Sequence, residues 1–404
     1  MNKIRLGILG VGNMGSCHLE NILCGRCPEI TVTAVCDLRP ERLEAARARV
    51  TAKQAEDPSA DIPDVVCFGD ADDMYASGLI DAVLVSIPHY GHPEHVIKAM
   101  RAGLHVMCEK PVGVYMLQAR EMAEEADRHP ELTFGVMFNQ RTNPVYRRIK
   151  EILDAGELGE IRRVSWIITG WYRSQAYYDS ADWRATWAGE GGGVLLNQCV
   201  HNVDLLQWLC GMPTTVYARV HCGKWHDIEV EDDVSAYMEY ENGATATLVT
   251  STGDMPGTNR LEIVCDGGTL VTNGSTVELV RLGVPESVFT RRNRKPFATP
   301  PVTRVTVQAD GENPQHVGVL NAFAAAILRG EPLVADGREG LNSLMLTNAM
   351  HLSEWTRKPV ELPFDEALHR DLLLERVKTS RRKELVGVVC SIEEVMESTK
   401  GGVG

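Results

Sequence analysis

Lys110 follows a short apolar run, His105 to Cys108, in the segment Glu109-Lys110-Pro111. An amine partly withdrawn from water and close to another positive group has its pKa lowered, so it can exchange protons near neutrality. A lone lysine is otherwise a surface cation, so the reading needs a companion. Gly191-Gly192-Gly193 leads into one, through Val194-Leu195-Leu196-Asn197-Gln198-Cys199-Val200-His201-Asn202-Val203-Asp204. A helix from about Val194 would set Asn197 and His201 four residues apart and Asp204 three further on, all on one face. Leu195, Leu205, Leu206 and Leu209 supply the packing. Alone, His201 reads as a satisfied core histidine; beside Lys110 and the glycine motif below, it reads as a second acid or base.

That motif is Gly10-Val11-Gly12-Asn13-Met14-Gly15, between an apolar strand, Ile4 to Leu9, and a helix from Ser16. The first glycine permits a tight turn, the second lets a pyrophosphate reach the backbone, and the third lets helix pack on strand. The helix N-terminus offers free amides and partial positive charge to phosphates. Asp37 ends the next strand, about 20 residues on, where a carboxylate accepts hydrogen bonds from ribose hydroxyls. It favours NAD and repels the extra phosphate of NADP, although Arg39 softens that repulsion. Ligands of open α/β sheets lie beyond the carboxyl ends of the strands. Ser86-Ile87-Pro88, Glu109-Lys110 and Gln140 fall at such ends and join the expected cofactor contacts. His89, His92 and His95 are spaced by threes, but Pro93-Glu94 looks like a helix start that splits them. A cofactor contact or cap is expected of His92, and no metal. Cys24 and Cys27 lack the second ligand pair of a zinc site.

These groups need a scaffold, and 404 residues suffice for about two domains. From residue 4 to about 137, Val- and Ile-rich runs alternate with helical patterns, the signature of a parallel sheet covered on both faces. Residues 51 to 64 look like an insertion before a short strand. Beyond Arg141 come a helix (144–155), a strand (161–169), an aromatic stretch, the histidine helix and several alternating strands without helices between them. Antiparallel pairing follows, with Glu241-Asn242-Gly243 as a hairpin turn. Late helices are expected over 315–329 and 340–357. The fold class is thus α/β: a Rossmann domain over 1–138, then an α+β domain over 139–404 with a mostly antiparallel open sheet. Residues 378–404 read as a loose tail. The net charge of −14 argues against nucleic acid. No apolar run is long enough to cross a bilayer, and the N-terminus lacks a signal-peptide pattern. Eleven scattered cysteines suit a reducing compartment. A cytoplasmic protein is expected.

The glycine motif, Glu109-Lys110-Pro111 and the glycine-triplet segment carrying Asn197 and His201 together resemble the Gfo/Idh/MocA family of sugar and cyclitol oxidoreductases. Phe138 to Pro144 and Gly156 to Ile161 are similar to that family's domain junction. The resemblance spans nearly the whole chain. It implies an NAD cofactor, a sugar, glycoside or cyclitol substrate, a homo-oligomer (dimer, tetramer or higher) built on the open sheet, and a cis bond before Pro111. It also implies that Lys110 and His201 transfer the proton. Many members carry an aspartate where Asn197 stands, and an amide cannot accept a proton. The stretch from Trp171-Tyr172-Arg173 through Tyr177-Tyr178, Trp183 and Trp187 is similar to a branch acting on glycosides, which implies oxidation at sugar C3. Its aromatic rings suit the C–H faces of sugars, and Tyr172, Arg173, Asn197 and Gln198 are the expected substrate contacts. Two other activities fit the same fold: a redox-neutral NAD-dependent glycosidase, and a sensor that binds NAD or sugar without turnover.

Overall fold

Runs of Val, Ile and Leu without polar alternation suit strands buried on both faces, and six such strands form the first sheet. They are β1 (Ile4–Leu9), β2 (Ile30–Cys36), β3 (Val66–Phe68), β4 (Ala82–Val85), β5 (His105–Cys108) and β6 (Phe134–Val136). In the computed structural model, which describes residues 3–381, all pair in parallel in the order β3-β2-β1-β4-β5-β6. The helices between them are α1 (Asn13–Leu23), α2 (Pro40–Glu56), α3 (Ala71–Ala76), α4 (His92–Arg101) and α5 (Met116–Arg128). Strand order reverses between β1 and β4, which opens a crevice beyond their carboxyl ends. Helix α2 absorbs the first part of the expected insertion, leaving a shorter loop before β3.

The second half begins with α6 (Pro144–Asp154), β7 (Ile161–Ile168), α7 (Gln175–Asp179) and α8 (Val200–Cys210). Strands β8 (Thr215–Cys222), β9 (Glu231–Glu239), β10 (Thr245–Ser251), β11 (Asn259–Cys265), β12 (Gly268–Thr272) and β13 (Val277–Leu282) follow. After them come α9 (Glu286–Arg292), β14 (Val302–Val307), α10 (Gln315–Arg329), α11 (Gly340–Thr356), β15 (Val360–Glu361) and α12 (Glu366–Thr379). The nine strands lie in the order β14-β13-β12-β11-β7-β10-β9-β8-β15, antiparallel except where β10 runs beside β7. Alternation along β9 turns Val234, Ala236 and Met238 toward α6, α8 and α11. The hairpin turn falls where expected, with Gly243 at φ +81°. Sequence patterning missed α9, β14 and α12. Helix α9 is short and has no buried residue, and β14 is almost wholly exposed, so neither carries the apolar period that reveals an element. The expected loose tail is overturned at its start. Lys378 and Thr379 end α12, and Ser380 and Arg381 donate to the Glu229 carboxylate; residues 382–404 of that expectation lie outside the described residues.

Two features join the halves. Helix α10 returns to the first sheet, where Val319, Leu320, Phe323 and Ala324 pack with Leu6, Ile8, Leu19 and Met107. Arg141, at the junction, donates through Nε and Nη2 to both oxygens of Asp204 on α8, at 2.8 and 2.7 Å, and through Nη1 to Glu339 at 2.6 Å. The side chains of Arg141 and Asp204 are each 1% exposed, so the pair clamps α8 in a low-dielectric interior. Removing one partner strands the other charge, at a cost of about 3–5 kcal/mol. Arg141→Met is therefore expected to lower the urea unfolding midpoint more than Arg141→Met combined with Asp204→Leu; equal losses in the two proteins would contradict the clamp.

Candidate active site

The nucleotide end follows from backbone geometry. Gly10 sits at φ +87°, and a Cβ there would lie 2.3 Å from the Ser86 carbonyl oxygen. A Cβ on Gly15 would lie 1.9 Å from the Gly10 carbonyl oxygen, so α1 can approach β1 only with glycine at that point. Gly12 precedes α1 without a capping side chain, and no acid occupies the first turn. The amides beginning at Asn13 and Met14 are thus free to meet phosphate oxygens. Asp37 is held by two backbone amides: its Oδ2 accepts from Val11 at 3.0 Å and its Oδ1 from Arg39 at 2.9 Å. This cradle fits the dinucleotide implied by the glycine motif. The Arg39 side chain turns away, 4.0 Å from Asp182, and the cation beside Asp37 is Arg42, at 3.4 Å. Nothing in the sequence separated Arg42 from the other cations of α2. Ser86 and Ile87 are half-buried and Pro88 exposed at the end of β4. Gln140, 7% exposed, lies 3.5 Å from Gln315 on α10.

Strand β5 delivers Glu109 and Lys110, and the Lys110-Pro111 bond is cis. Glu109 Oε1 lies 2.7 Å from Nε2 of His18 on α1. Burial pushes the Glu109 carboxyl up, but the hydrogen bond and charge of His18, with His316 and Lys110 nearby, hold it at about 2. The Lys110 amine is pushed down to about 8, mainly by burial, against the pull of Glu109 and Glu190 and with help from Arg184 and Arg173. Expectations for the histidine triplet change. Nδ1 of His92 lies 2.7 Å from the Pro111 carbonyl oxygen and Nε2 lies 2.6 Å from that of Ile87. The neutral ring has one N–H and donates to one of these carbonyls, lying between the loops that follow β4 and β5. His89 faces the Glu190 carbonyl and His95 the Tyr75 hydroxyl, so the three rings meet separate partners.

The glycine-triplet segment also departs from expectation. Helix α8 starts at Val200, and Gly193 to Cys199 form turns. Glu231 on β9 holds this turn: its carbonyl accepts the Val194 amide at 2.9 Å and its carboxylate accepts the Leu195 amide at 3.1 Å. A Cβ on Gly193 would lie 2.1 Å from that same carbonyl oxygen. Asn197 therefore comes from a turn, while His201 and Asp204 lie three residues apart on α8, where Asp204 binds Arg141.

The turn nevertheless meets Lys110. Its Nζ donates to the Asn197 carbonyl at 2.9 Å and to Asn197 Oδ1 at 3.4 Å. Asn197 Nδ2 donates to Glu190 and, at 3.3 Å, to the Tyr177 hydroxyl. That hydroxyl also receives Gln198 Nε2 at 3.0 Å and Arg184 Nη1 at 2.5 Å. His201, 8% exposed, is held well below the usual imidazole range, first by burial and then by the charge of Lys110. It is neutral at pH 7.

Glu190 was not among the expected contacts, and Tyr177, expected as a ring for sugar C–H faces, gathers three donors at its hydroxyl. The clue to Glu190 was its place before three glycines, where a buried carboxyl can be packed close to backbone. Among the aromatic residues, Trp171, Tyr178 and Trp187 are buried. Trp171 donates to Asn202, Tyr178 to Thr252, and Trp187 packs on His351 and Trp355. They build the wall rather than offering faces to a ligand. Tyr172 is 45% exposed, and Arg173 rests on Trp171 and Tyr177. Buried polar atoms normally have partners. Here Gln198 Oε1, Arg173 Nε, Arg184 Nε and His201 Nδ1 have none among the described residues, and all four belong to the residues gathered around Tyr177 and Lys110. Such a set suits a ligand carrying several hydroxyls.

Comparison with known proteins agrees with this geometry. A family model described as "Oxidoreductase family, NAD-binding Rossmann fold" matches residues 4–138, and one described as "GFO/IDH/MocA C-terminal domain" matches residues 146–271. The chain is 25% identical to D-glucoside 3-dehydrogenase of Escherichia coli strain K12, over 89% of this chain and 98% of that one. It is 22% identical to myo-inositol 2-dehydrogenase of Thermotoga maritima over the same shares. The WlbA dehydrogenase of Bordetella pertussis, solved with NADH and UDP-GlcNAcA, superposes with a TM-score of 0.74 at 27% identity, over 90% of this chain and 100% of that one.

The Glu109 value carries a stability consequence. A carboxyl held at about 2 in the fold, below its ordinary 4.5, contributes stability that is complete above pH 4.5 and lost as pH falls toward about 2. Glu109→Gln is expected to lower stability at pH 7 and to flatten the loss between pH 4.5 and about 2, read from urea midpoints. A variant with an unchanged acid limb would refute this.

Proposed function

Because the chain belongs to the GFO/IDH/MocA oxidoreductase family and folds its NAD-binding domain, we propose that it oxidises a secondary alcohol of a sugar, glycoside or cyclitol. The observation that carries this is the contact of Lys110 with Asn197. An uncharged amine has two N–H groups and one lone pair, and the two contacts to Asn197 engage both N–H groups. The lone pair is then left for the proton of a substrate hydroxyl. With a pKa of about 8, a useful share of Lys110 is uncharged near neutrality.

Bound NAD supplies the hydride acceptor. His201 stays neutral and offers Nδ1 to orient the reacting oxygen. Asn197 keeps Lys110 aimed, Gln198 and Arg173 meet further hydroxyls, and Tyr172 gives an exposed ring face at the mouth. The glucoside and inositol dehydrogenases among the relatives support this substrate class, and the glucoside enzyme supports C3 of a sugar as the reacting carbon. The reading also takes the chain as cytoplasmic and self-associating. Tyr217, Tyr237 and Ile167 are exposed on the nine-stranded sheet and suit a partner copy.

An NAD-reduction screen of sugars, glycosides and inositols tests the activity. NADH and keto product should accumulate together; free sugar or aglycone without net NADH would indicate the redox-neutral glycosidase instead. Lys110→Met should bind NADH like the parent while kcat falls about 10²- to 10⁴-fold. In the parent, kcat/KM should rise with pH to a plateau above about 8, as Lys110 loses its proton. Near-parental turnover in the variant would end the proposal.

A further inference from the structure

Arg173 and Arg184 both lie over the ring of Tyr177, their guanidinium carbons 5.1 and 4.3 Å from its centroid. Among the described residues, Arg173 Nη1 donates to the Tyr172 carbonyl and Arg184 Nη1 to the Tyr177 hydroxyl. Nε of each is buried without a partner, and among the described residues neither guanidinium has a carboxylate within 4.0 Å. The contrast with Arg141 is instructive, since that buried arginine binds two carboxylates.

The charges of both arginines reach Lys110, against the pull of Glu109 and Glu190. Two carboxyls face the group: Glu109, paired with His18, and Glu190, whose oxygens accept from the Asn197 side chain and the Ala185 amide. Burial raises the Glu190 carboxyl, against the pull of Arg184 and of its two N–H donors. Like charges held together away from water repel strongly unless an anion joins them. Guanidinium groups match planar carboxylates, which they grip through paired N–H bonds.

Resting on the dehydrogenase reading above, we propose that the substrate is a sugar acid or its glycoside, whose carboxylate is held by Arg173 and Arg184 while a ring hydroxyl faces Lys110. The phosphates of the dinucleotide are another source of anionic oxygen. The geometry favours the substrate, because Arg184 is tied through Tyr177 and Asn197 to Lys110, whereas the pyrophosphate cradle lies at Gly10 to Gly15.

The test is calorimetric binding to the NADH-loaded protein of D-glucuronate and D-galacturonate, each against its neutral parent hexose, with glucose 6-phosphate as a second anion. At least one acid should bind about tenfold or more tightly than its parent and better than the phosphate ester, and salt should erode that preference. Arg173→Met and Arg184→Met should each reduce the acid-to-neutral affinity ratio about tenfold while NADH affinity is retained. Equal binding of acids and parents, stronger binding of the phosphate ester, or variants that lose NADH affinity but keep the acid preference would each overturn the proposal. Turnover is read separately. Oxidation of neutral sugars without acid preference sinks this inference and spares the dehydrogenase reading, whereas acid-selective binding with no oxidation of any compound does the reverse.

Discussion

The cleft depends on one contact, in which Lys110 at the end of β5 meets Asn197 in the turn before α8. The two residues belong to different halves of the chain, so the contact exists only when the halves are fixed relative to one another. The packing of α10 on the first sheet fixes them, and the bidentate pair of Arg141 and Asp204, each side chain 1% exposed, holds α8 to the segment that follows β6. Glu231 fixes the turn itself by capturing two of its amides. Chemistry at Nζ is thus the last link of a chain of backbone and ionic constraints, and few of these touch the cleft.

Burial sets the protonation states that those constraints make useful. Withdrawal from water lowers the amine of Lys110 and the imidazole of His201 together, so the imidazole stands uncharged and the amine gives up its proton at about 8. Glu109 escapes the same influence because His18 pairs with it, which keeps a negative charge beside Lys110 and limits how far the amine falls. Neighbouring residues on one strand end therefore respond to the same environment in opposite ways, according to whether a partner is within reach.

Much of this was legible in the sequence, for reasons that differ by element. The glycine motif could be read because each glycine answers a steric demand fixed by local geometry, as the contacts at Gly10 and Gly15 make plain. The parallel sheet could be read because strands buried on both faces lose polar alternation. The start of α8 could not, since the turn before it is held by Glu231 on β9, 36 residues beyond Leu195. The surroundings of His92 could not be read, because the two carbonyls beside its ring come from separate loops. Trp171, Tyr178 and Trp187 looked like a sugar platform, but composition cannot distinguish a ring facing a ligand from one facing its own core. Glu190 and Arg42 were missed because one carboxyl or guanidinium among many has no periodic signal.

The return of α10 has a consequence for how the chain emerges from the ribosome. Leu6, Ile8 and Leu19 are covered in part by side chains more than 290 residues away, among them Phe323. The first sheet can therefore start to assemble early in synthesis, but one flank stays bare until nearly four-fifths of the polypeptide has been made. During that interval the nascent domain presents an apolar surface of the kind that chaperones grip and that drives premature association. An N-terminal fragment cut at the domain junction would inherit the same bare flank permanently, so the nucleotide-binding unit is continuous in sequence yet is not self-sufficient as a folded body.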